Sequence, residues 1–212
     1  MTEIAIFPIP DCVSFPHTVF PLHVFEPRYR QMINDCVDNN RLLGICHTQK
    51  ELRSAKPDQP IQEALQSNQA TYKPFEVFSA GSCEIIKTLD DGRIYLHVDL
   101  SNRYQIKSEI QTLPYMIADC ELVDDEDLTE EVLKETVLYQ EKIITRLSAI
   151  TAHIPKVGEL LNSDEWKNKD PIKFSFEIFG LLDFESEYLQ EILEMRSPLD
   201  RLDFLLSNLN NQ

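Results

Sequence analysis

The stretch that most restricts the fold is "VFPLHVFEPRYRQM", residues 19–32, where an apolar, strand-like run carries two prolines six residues apart. Pro21 has no amide hydrogen, so a strand over Val19–Phe25 is confined to a sheet edge, a bulge or its own first residues. Pro27 acts differently. Its φ is already near the helical value, and its missing N–H costs nothing in a first helical turn, so the chain turns from strand into helix within two residues. Glu26 then stands at the electropositive helix end. Tyr29, Met32, Ile33 and Cys36 follow at three- and four-residue steps, predicting a helix near 27–38 whose apolar face closes one mouth of a small barrel.

The surrounding first half reads as strands. Ile4–Phe7, Val19–Phe25, Leu42–His47, Val77–Leu89, Arg93–Lys107 and Tyr115–Val123 are rich in β-branched and aromatic residues and bounded by Pro, Gly or Asp. In "RIYLHVDL", Ile94, Leu96, Val98 and Leu100 share one face and Tyr95, His97 and Asp99 the other, the signature of a half-buried strand. Asp91-Gly92 before it supplies residues for a primed hairpin turn, pairing 83–89 with 93–100 antiparallel. Residues 48–76 read as a long connector ending "ATYKPFEVF".

The second half reads as helices. Val132, Leu133, Val137, Ile143, Ile144, Leu147 and Ile150 form one stripe, with Asp127 as N-cap and Glu130 completing a capping box. Asp170-Pro171 and Ser197-Pro198 place a capping residue before a proline, predicting helix starts, and "SEYLQEILEM" between them is a short helix. The fold class expected is α+β, an antiparallel β-barrel subdomain over 1–123 followed by a helical bundle over 124–212.

Charge excludes one large class of partner. The 20 basic and 36 acidic residues of the 212-residue chain leave a net −16, whereas phosphate contacts require a cationic footprint. Nucleic acid is therefore not expected as a partner. Residues 124–212 carry 9 basic and 20 acidic residues against 11 and 16 before them, so the acid concentrates in the helical half. The acidic run 124–127 reads as a solvated linker and cap rather than an ion site, since EF-hand spacing with its glycine is absent. Five cysteines without a CxxC pair suit a reducing compartment, and no apolar run approaches the roughly 20 residues that span a bilayer. The expectation is a cytoplasmic protein with no membrane partner.

The segments "FPIPDCVSFPHTVFPLHVFEPRYRQMINDC", "LLGI", "AGSCEI", "LDDGRIYLHVDLSNRYQI" and "LLDFESEYLQEILEMRSPLDRLDFLLSNL" resemble the Lon N-terminal, or substrate-binding, domain family over most of residues 4–209, with "PLHVFEPRY" the most specific part. The resemblance implies a PUA-like β-barrel followed by a helical bundle, a module that engages unfolded or client polypeptide in association with an ATPase and a serine–lysine peptidase. It marks Pro21, Phe25, Glu26, Pro27, Arg28 and Tyr29 as signature residues, read here as structural. The chain departs from the family in having Leu100 before "SNRYQI", where a glycine is frequent. The glycines at 44, 81, 92, 158 and 180 allow no G-x4-G-K-S/T, so the chain reads as a free-standing N-domain whose ATPase or protease, if any, is a separate partner.

No H-E-x-x-H, G-x-S-x-G or G-x-G-x-x-G occurs, and the expectation is a non-enzymatic, cofactor-free binding or adaptor module. The alternative is a small-molecule enzyme using Cys46 or a histidine. His17 and His23 with Cys12 or Cys46-His47 would make a loose metal set, and structural zinc sites favour tighter pairs. Adjacent Cys46 and His47 point to opposite faces of a strand, which suits packing better than a dyad. Glu26 and Arg30, four apart, read as a helix-face ion pair, and Arg103 as a strand arginine facing the acidic half or water. For partner binding the aromatic candidates are Tyr72 and Phe75, in the connector, and Trp166, the only tryptophan.

Overall fold

A computed structural model describes residues 1–54, 63 and 67–210. The described residues divide into two compact units, Met1–Val123 with Glu185–Leu193, and Asp124–Phe184 with Glu194–Gln212. The first contains β1 (Thr2–Pro8), β2 (Thr18–Val24), α1 (Pro27–Asn39), β3 (Leu42–Cys46), β4 (Thr48–Arg53), β5 (Thr71–Pro74), β6 (Val77–Thr88), β7 (Ile94–Gln111) and β8 (Met116–Leu122). Six strands form one sheet in the order β2-β7-β6-β3-β1-β8, and a further β7–β8 pairing closes five of them into a barrel. All ladders of this sheet are antiparallel except β1–β3, which run parallel because the chain crosses between them through β2 and α1.

The long strand β7 makes closure possible. Its first half pairs with β2 and with the far end of β6, and its second half pairs with β8 from Tyr104↔Leu122 to Gln111↔Ile117. Ile94, Leu96, Val98 and Leu100 are buried while Tyr95, His97 and Asp99 face water, as the period-two pattern requires. A bulge between Ala80 and Gly81 bends β6 against β7, and a Cβ added at Gly81 would lie 1.7 Å from the Asp99 carbonyl oxygen. At the hairpin, Leu89 and Arg93 flank a three-residue loop in which only Gly92 has positive φ, at 82°. The turn is thus of the bulged three-residue kind rather than the primed two-residue kind expected.

β2 lies at the open edge, pairing with β7 alone, so Pro21 occupies the position its missing donor allows. α1 buries Tyr29, Met32, Ile33 and Cys36 into the same cluster as Ala5, Leu43, Ile45, Leu96 and Val98. Asn40 ends the helix in the left-handed conformation. A second cluster, with Ile4, Ile6, Phe78, Ala118 and Cys120, occupies the opposite face of β1, which is why Ile4, Ala5 and Ile6 are all inaccessible. The expected connector 48–76 instead contributes a two-stranded ribbon, β4 with β5. α6 (Ser186–Glu194) belongs to this unit despite its place late in the chain. Gln190 donates to the Val77 carbonyl at 3.0 Å, and buried Arg103 donates to the Leu193 carbonyl at the helix C-terminus at 2.7 Å. Arg103 is therefore turned away from water toward a helix drawn from the acidic half of the chain.

The second unit holds α2 (Glu130–Ile150), α3 (Pro155–Asn162), α4 (Asp164–Lys167), α5 (Pro171–Glu177), a 3₁₀ turn (Ile178–Leu181) and α7 (Pro198–Asn210). Asp170 and Ser197 cap α5 and α7 as expected. The cap of α2 is Thr129, which accepts from the Val132 amide at 3.3 Å, not Asp127. Its buried stripe is Thr136, Gln140, Ile143, Ile144 and Leu147, rotated from the expected one, so that Leu133, Val137 and Ile150 are exposed. Gln140 is drawn inward by the carbonyls of Trp166 and Lys169, to which its amide donates.

Arg201, wholly inaccessible, holds this unit together. Its guanidinium donates to both Asp125 oxygens at 2.8 and 2.6 Å, to the Met195 carbonyl at 2.8 Å and to Ser175 Oγ at 3.0 Å, and lies 3.7 Å from the Phe176 ring centroid. The run 124–127 is accordingly structural, with Asp124 and Glu126 also bonded through their backbone to Arg196. Removing one member of such a buried pair strands the other charge, so Asp125→Ala should lower stability by about 3–5 kcal/mol in urea unfolding. Replacing both residues, Asp125→Leu with Arg201→Met, should restore most of that loss; a single variant as stable as the parent would contradict this reading.

Candidate functional site

The barrel unit carries two adjoining clefts where α1, the β4–β5 ribbon and the β7–β8 turn converge. One, of about 180 Å³, is walled by Ile6, Pro8, Arg28, Tyr29, Leu52, Thr71–Pro74, Glu109 and Thr112–Met116. The other, of about 400 Å³, is walled by Phe7–Pro10, Leu22, His23, Phe25, Glu26, Tyr29, Gln69, Ala70 and Tyr72. Pro8, Tyr29 and Tyr72 are common to both. Two aliphatic side chains at the first cleft point at water: Leu113 is 81% exposed and Leu52 58%. Apolar side chains so placed beside a concavity are the usual makings of a binding surface.

The strand-to-helix corner builds the cleft floor. The Glu26 carboxylate does not pair with Arg30, and it makes no cap bond. It accepts from Arg28 Nε and from the Gln69 amide, both at 3.0 Å, and the side chains of Glu26 and Arg28 are nearly buried. Arg28 in turn donates to the Ala70 carbonyl and to Thr71 Oγ, so the pair fastens residues 69–71 to the start of α1 just before the chain enters β5. The Arg28 guanidinium sits 4.5 Å from the Tyr29 ring centroid, and the Tyr29 and Phe7 rings meet nearly at right angles with centroids 4.3 Å apart. Arg30 reaches instead to the Asp91 carbonyl at 3.2 Å, because the hairpin turn lies within its span.

The phenols in this region are neutral hydrogen-bonding groups. Burial pushes Tyr29 up to about 12, and Tyr115 rises to about 12 through burial and then its 2.6 Å bond to the Asp35 carboxylate. Tyr72 is raised by burial first and then by the Glu51, Glu26 and Asp11 carboxylates.

The aromatic candidates separate. Tyr72 is half-buried and borders both clefts. Phe75 stacks on the buried His47 ring at 5.1 Å and lines neither cleft. Trp166 lies in the helical unit, 6% exposed, its ring at a steep angle to that of Phe174 and with Lys169 Nζ over it. Of the signature residues, Phe25, Glu26, Arg28 and Tyr29 line a cleft; Leu52 and Leu113 escaped notice because nothing local in the sequence sets an exposed leucine apart from a core one.

The residues considered for catalysis are dispersed. Cys46 is wholly buried in an apolar cluster, and burial holds its thiol well above the ordinary value, opposing the thiolate a nucleophile needs. His23 stacks on Tyr95 at 4.3 Å. Among the described residues no group of three or more His, Cys, Asp or Glu side chains is placed to hold a metal ion, and no helix is long and apolar enough to cross a membrane.

Comparison with known proteins agrees with this architecture. The family model for the ATP-dependent protease La (LON) substrate-binding domain matches residues 3–211. Lon protease 1 of Herpetosiphon aurantiacus is 28% identical over 82% of this chain and 20% of its own length; Lon protease of Buchnera aphidicola is 26% identical over 99% of this chain and 25% of its own. The chain thus spans about a quarter or less of these relatives. The N-terminal domain of Mycobacterium avium complex Lon protease superposes with a TM-score of 0.71 at 14% identity, covering both chains fully. A Lon N-terminal domain protein from Xanthomonas campestris superposes at 0.60 and 16%, over 98% of each chain; likeness at these identities concerns the fold.

Losing the Arg28 clamp should free the ribbon before it unfolds the barrel. Arg28→Ala is expected to speed amide exchange over Thr71–Tyr72 by roughly tenfold or more while exchange in β6 and β7 stays near its original rate. Equal acceleration throughout the barrel would show that the pair supports the core instead.

Proposed function

The chain belongs to the Lon substrate-binding domain family, and from that premise we propose that it is a non-enzymatic module that binds client polypeptide in the paired clefts around Tyr29 and Tyr72. The observation that carries this reading is the exposure of Leu52 and Leu113 beside an apolar concavity on the barrel unit. An apolar side chain of an unfolded segment would replace water against these leucines and the tyrosine faces, each well-buried anchor contributing about 1–2 kcal/mol. The net charge of −16, with the Glu51, Glu26 and Asp11 carboxylates near Tyr72, favours clients with Lys or Arg flanking the apolar residue, most strongly at low salt. Clients held here would be presented for ATP-dependent proteolysis, the activity named in the family description, by ATPase and peptidase machinery outside these residues.

The reading also accommodates the burial of Cys46 and His47. Binding by apolar contact needs no activated side chain, and buried Cys46 and stacked His47 serve the core. Retention through purification of a small molecule turned over by the protein would favour an enzyme instead.

Fluorescence anisotropy with labelled β-casein as an unfolded probe tests the site. Tyr72→Ala and Leu113→Ser should each weaken binding roughly tenfold, with the thermal midpoint moving by no more than about 2 °C, because neither side chain is in the core. Phe75→Ala, by contrast, should lower the midpoint through loss of its stacking on His47. Binding unchanged by the first two substitutions would remove the clefts from the proposal.

A further inference from the structure

The β4–β5 ribbon is charged differently on its two faces. Residues opposite one another in an antiparallel pair lie on the same face, as do residues two apart along one strand. Lys50 stands opposite Lys73, and Arg53 opposite Thr71, so Lys50, Arg53 and Lys73 share one face; Glu51, opposite Tyr72, lies on the other. All three cations are exposed. Among the described residues no carboxylate is paired with any of them, and that includes Glu109, which lines the first cleft together with Lys73. Like charges directly opposite each other weaken a ribbon, and an anion placed between them reverses the sign of the interaction. We propose that the Lys50–Arg53–Lys73 face reads acid in a client: it takes a polypeptide segment with Asp or Glu beside the apolar residue that enters the first cleft. The inference rests on the clefts being the client site and adds to that reading the charge of the client.

The cationic face adjoins the apolar wall. Thr71 and Lys73 line the first cleft with Leu52 and Leu113. The register slips between Glu51 and Arg53, leaving Leu52 with no residue opposite, and a bulge of this kind re-aims the extra side chain. Its 58% exposure follows. An apolar side chain set against Leu52 therefore brings its neighbours in sequence next to Arg53 and Lys73. The carboxylates of Glu51, Glu26 and Asp11 act instead on Tyr72, which borders both clefts. The preferred segment thus carries opposite charges on the two sides of its apolar residues. A polyanion is a poor occupant, because the field of a chain at −16 opposes its approach and this face offers three cations to meet it.

The test is a comparison of two rhodamine-labelled peptides by fluorescence anisotropy at low salt: Gly-Lys-Leu-Phe-Leu-Asp-Asp-Gly with an amidated C-terminus, and the same peptide with both Asp replaced by Asn. The parent chain should bind the Asp peptide roughly fivefold more tightly, the gain expected of a few exposed charge pairs. In the doubly substituted chain, Lys50→Gln with Lys73→Gln, the preference should fall below about twofold while affinity for the Asn peptide is retained. The thermal midpoint should not fall, since the substitutions remove a repulsion. Equal binding of the two peptides by the parent would overturn the inference and leave the clefts as a client site, whereas failure of both peptides to bind would remove both readings. A preference for Asp that survives the double substitution, or a single-stranded RNA oligonucleotide that binds the parent more tightly than the Asp peptide, would also overturn it.

Discussion

Strand β7 is the constraint on which the barrel depends. At 18 residues it is far longer than its neighbours β2 and β8, and among the described strands it alone pairs with three others. In this barrel β7 changes neighbours along its length near Arg103, where its pairing with β2 has ended and its pairing with β8 begins. The bulge at Gly81 supplies the bend, and any larger residue there would collide with the β7 backbone. Because β7 continues to Gln111, its far end and the turn into β8 project beside the ribbon, and the first cleft arises from that overhang.

The corner at Glu26-Pro27 links this scaffold to the site. Proline fixes where α1 begins, and that leaves Glu26 and Arg28 close enough in space to pair across two residues and to hold a segment some 40 residues away in sequence. A side chain expected to support its own helix thus supports a distant ribbon. The same corner sets Tyr29 between the two clefts, so a packing device and a binding surface share residues. Such sharing is physically economical: a tyrosine pinned by Arg28 and Phe7 has little rotamer freedom left to lose when a ligand covers it.

In the helical unit the acidic composition conceals a specific role. Most of its carboxylates are solvated, but Asp125 accepts two bonds from an arginine with no accessible surface. Charge counting treats these carboxylates alike, whereas desolvation separates them sharply. The surface apolar residues Leu133, Val137 and Ile150 of α2 show the converse case, since helical periodicity marks them as core candidates and the neighbouring helices cover a different face.

What the sequence alone determined was local: the period-two burial of Ile94 to Leu100, the exclusion of Pro21 from the interior of a sheet, the helix begun by Pro27, and the capped starts at Asp170 and Ser197. Each follows from backbone sterics, a missing or unsatisfied hydrogen-bonding group, or side-chain alternation, all of which act within a few residues. Tertiary structure decided the parallel β1–β3 pairing, the β4–β5 ribbon, the grouping of Glu185–Leu193 with the barrel, the partners of Glu26, Arg103 and Arg201, and the exposure of Leu52 and Leu113. Those outcomes depend on which surfaces meet across tens of residues. Hydrophobic burial is non-directional, so the pattern along the chain says that a leucine is apolar, and only the packed neighbours settle whether it is covered or left open to a partner.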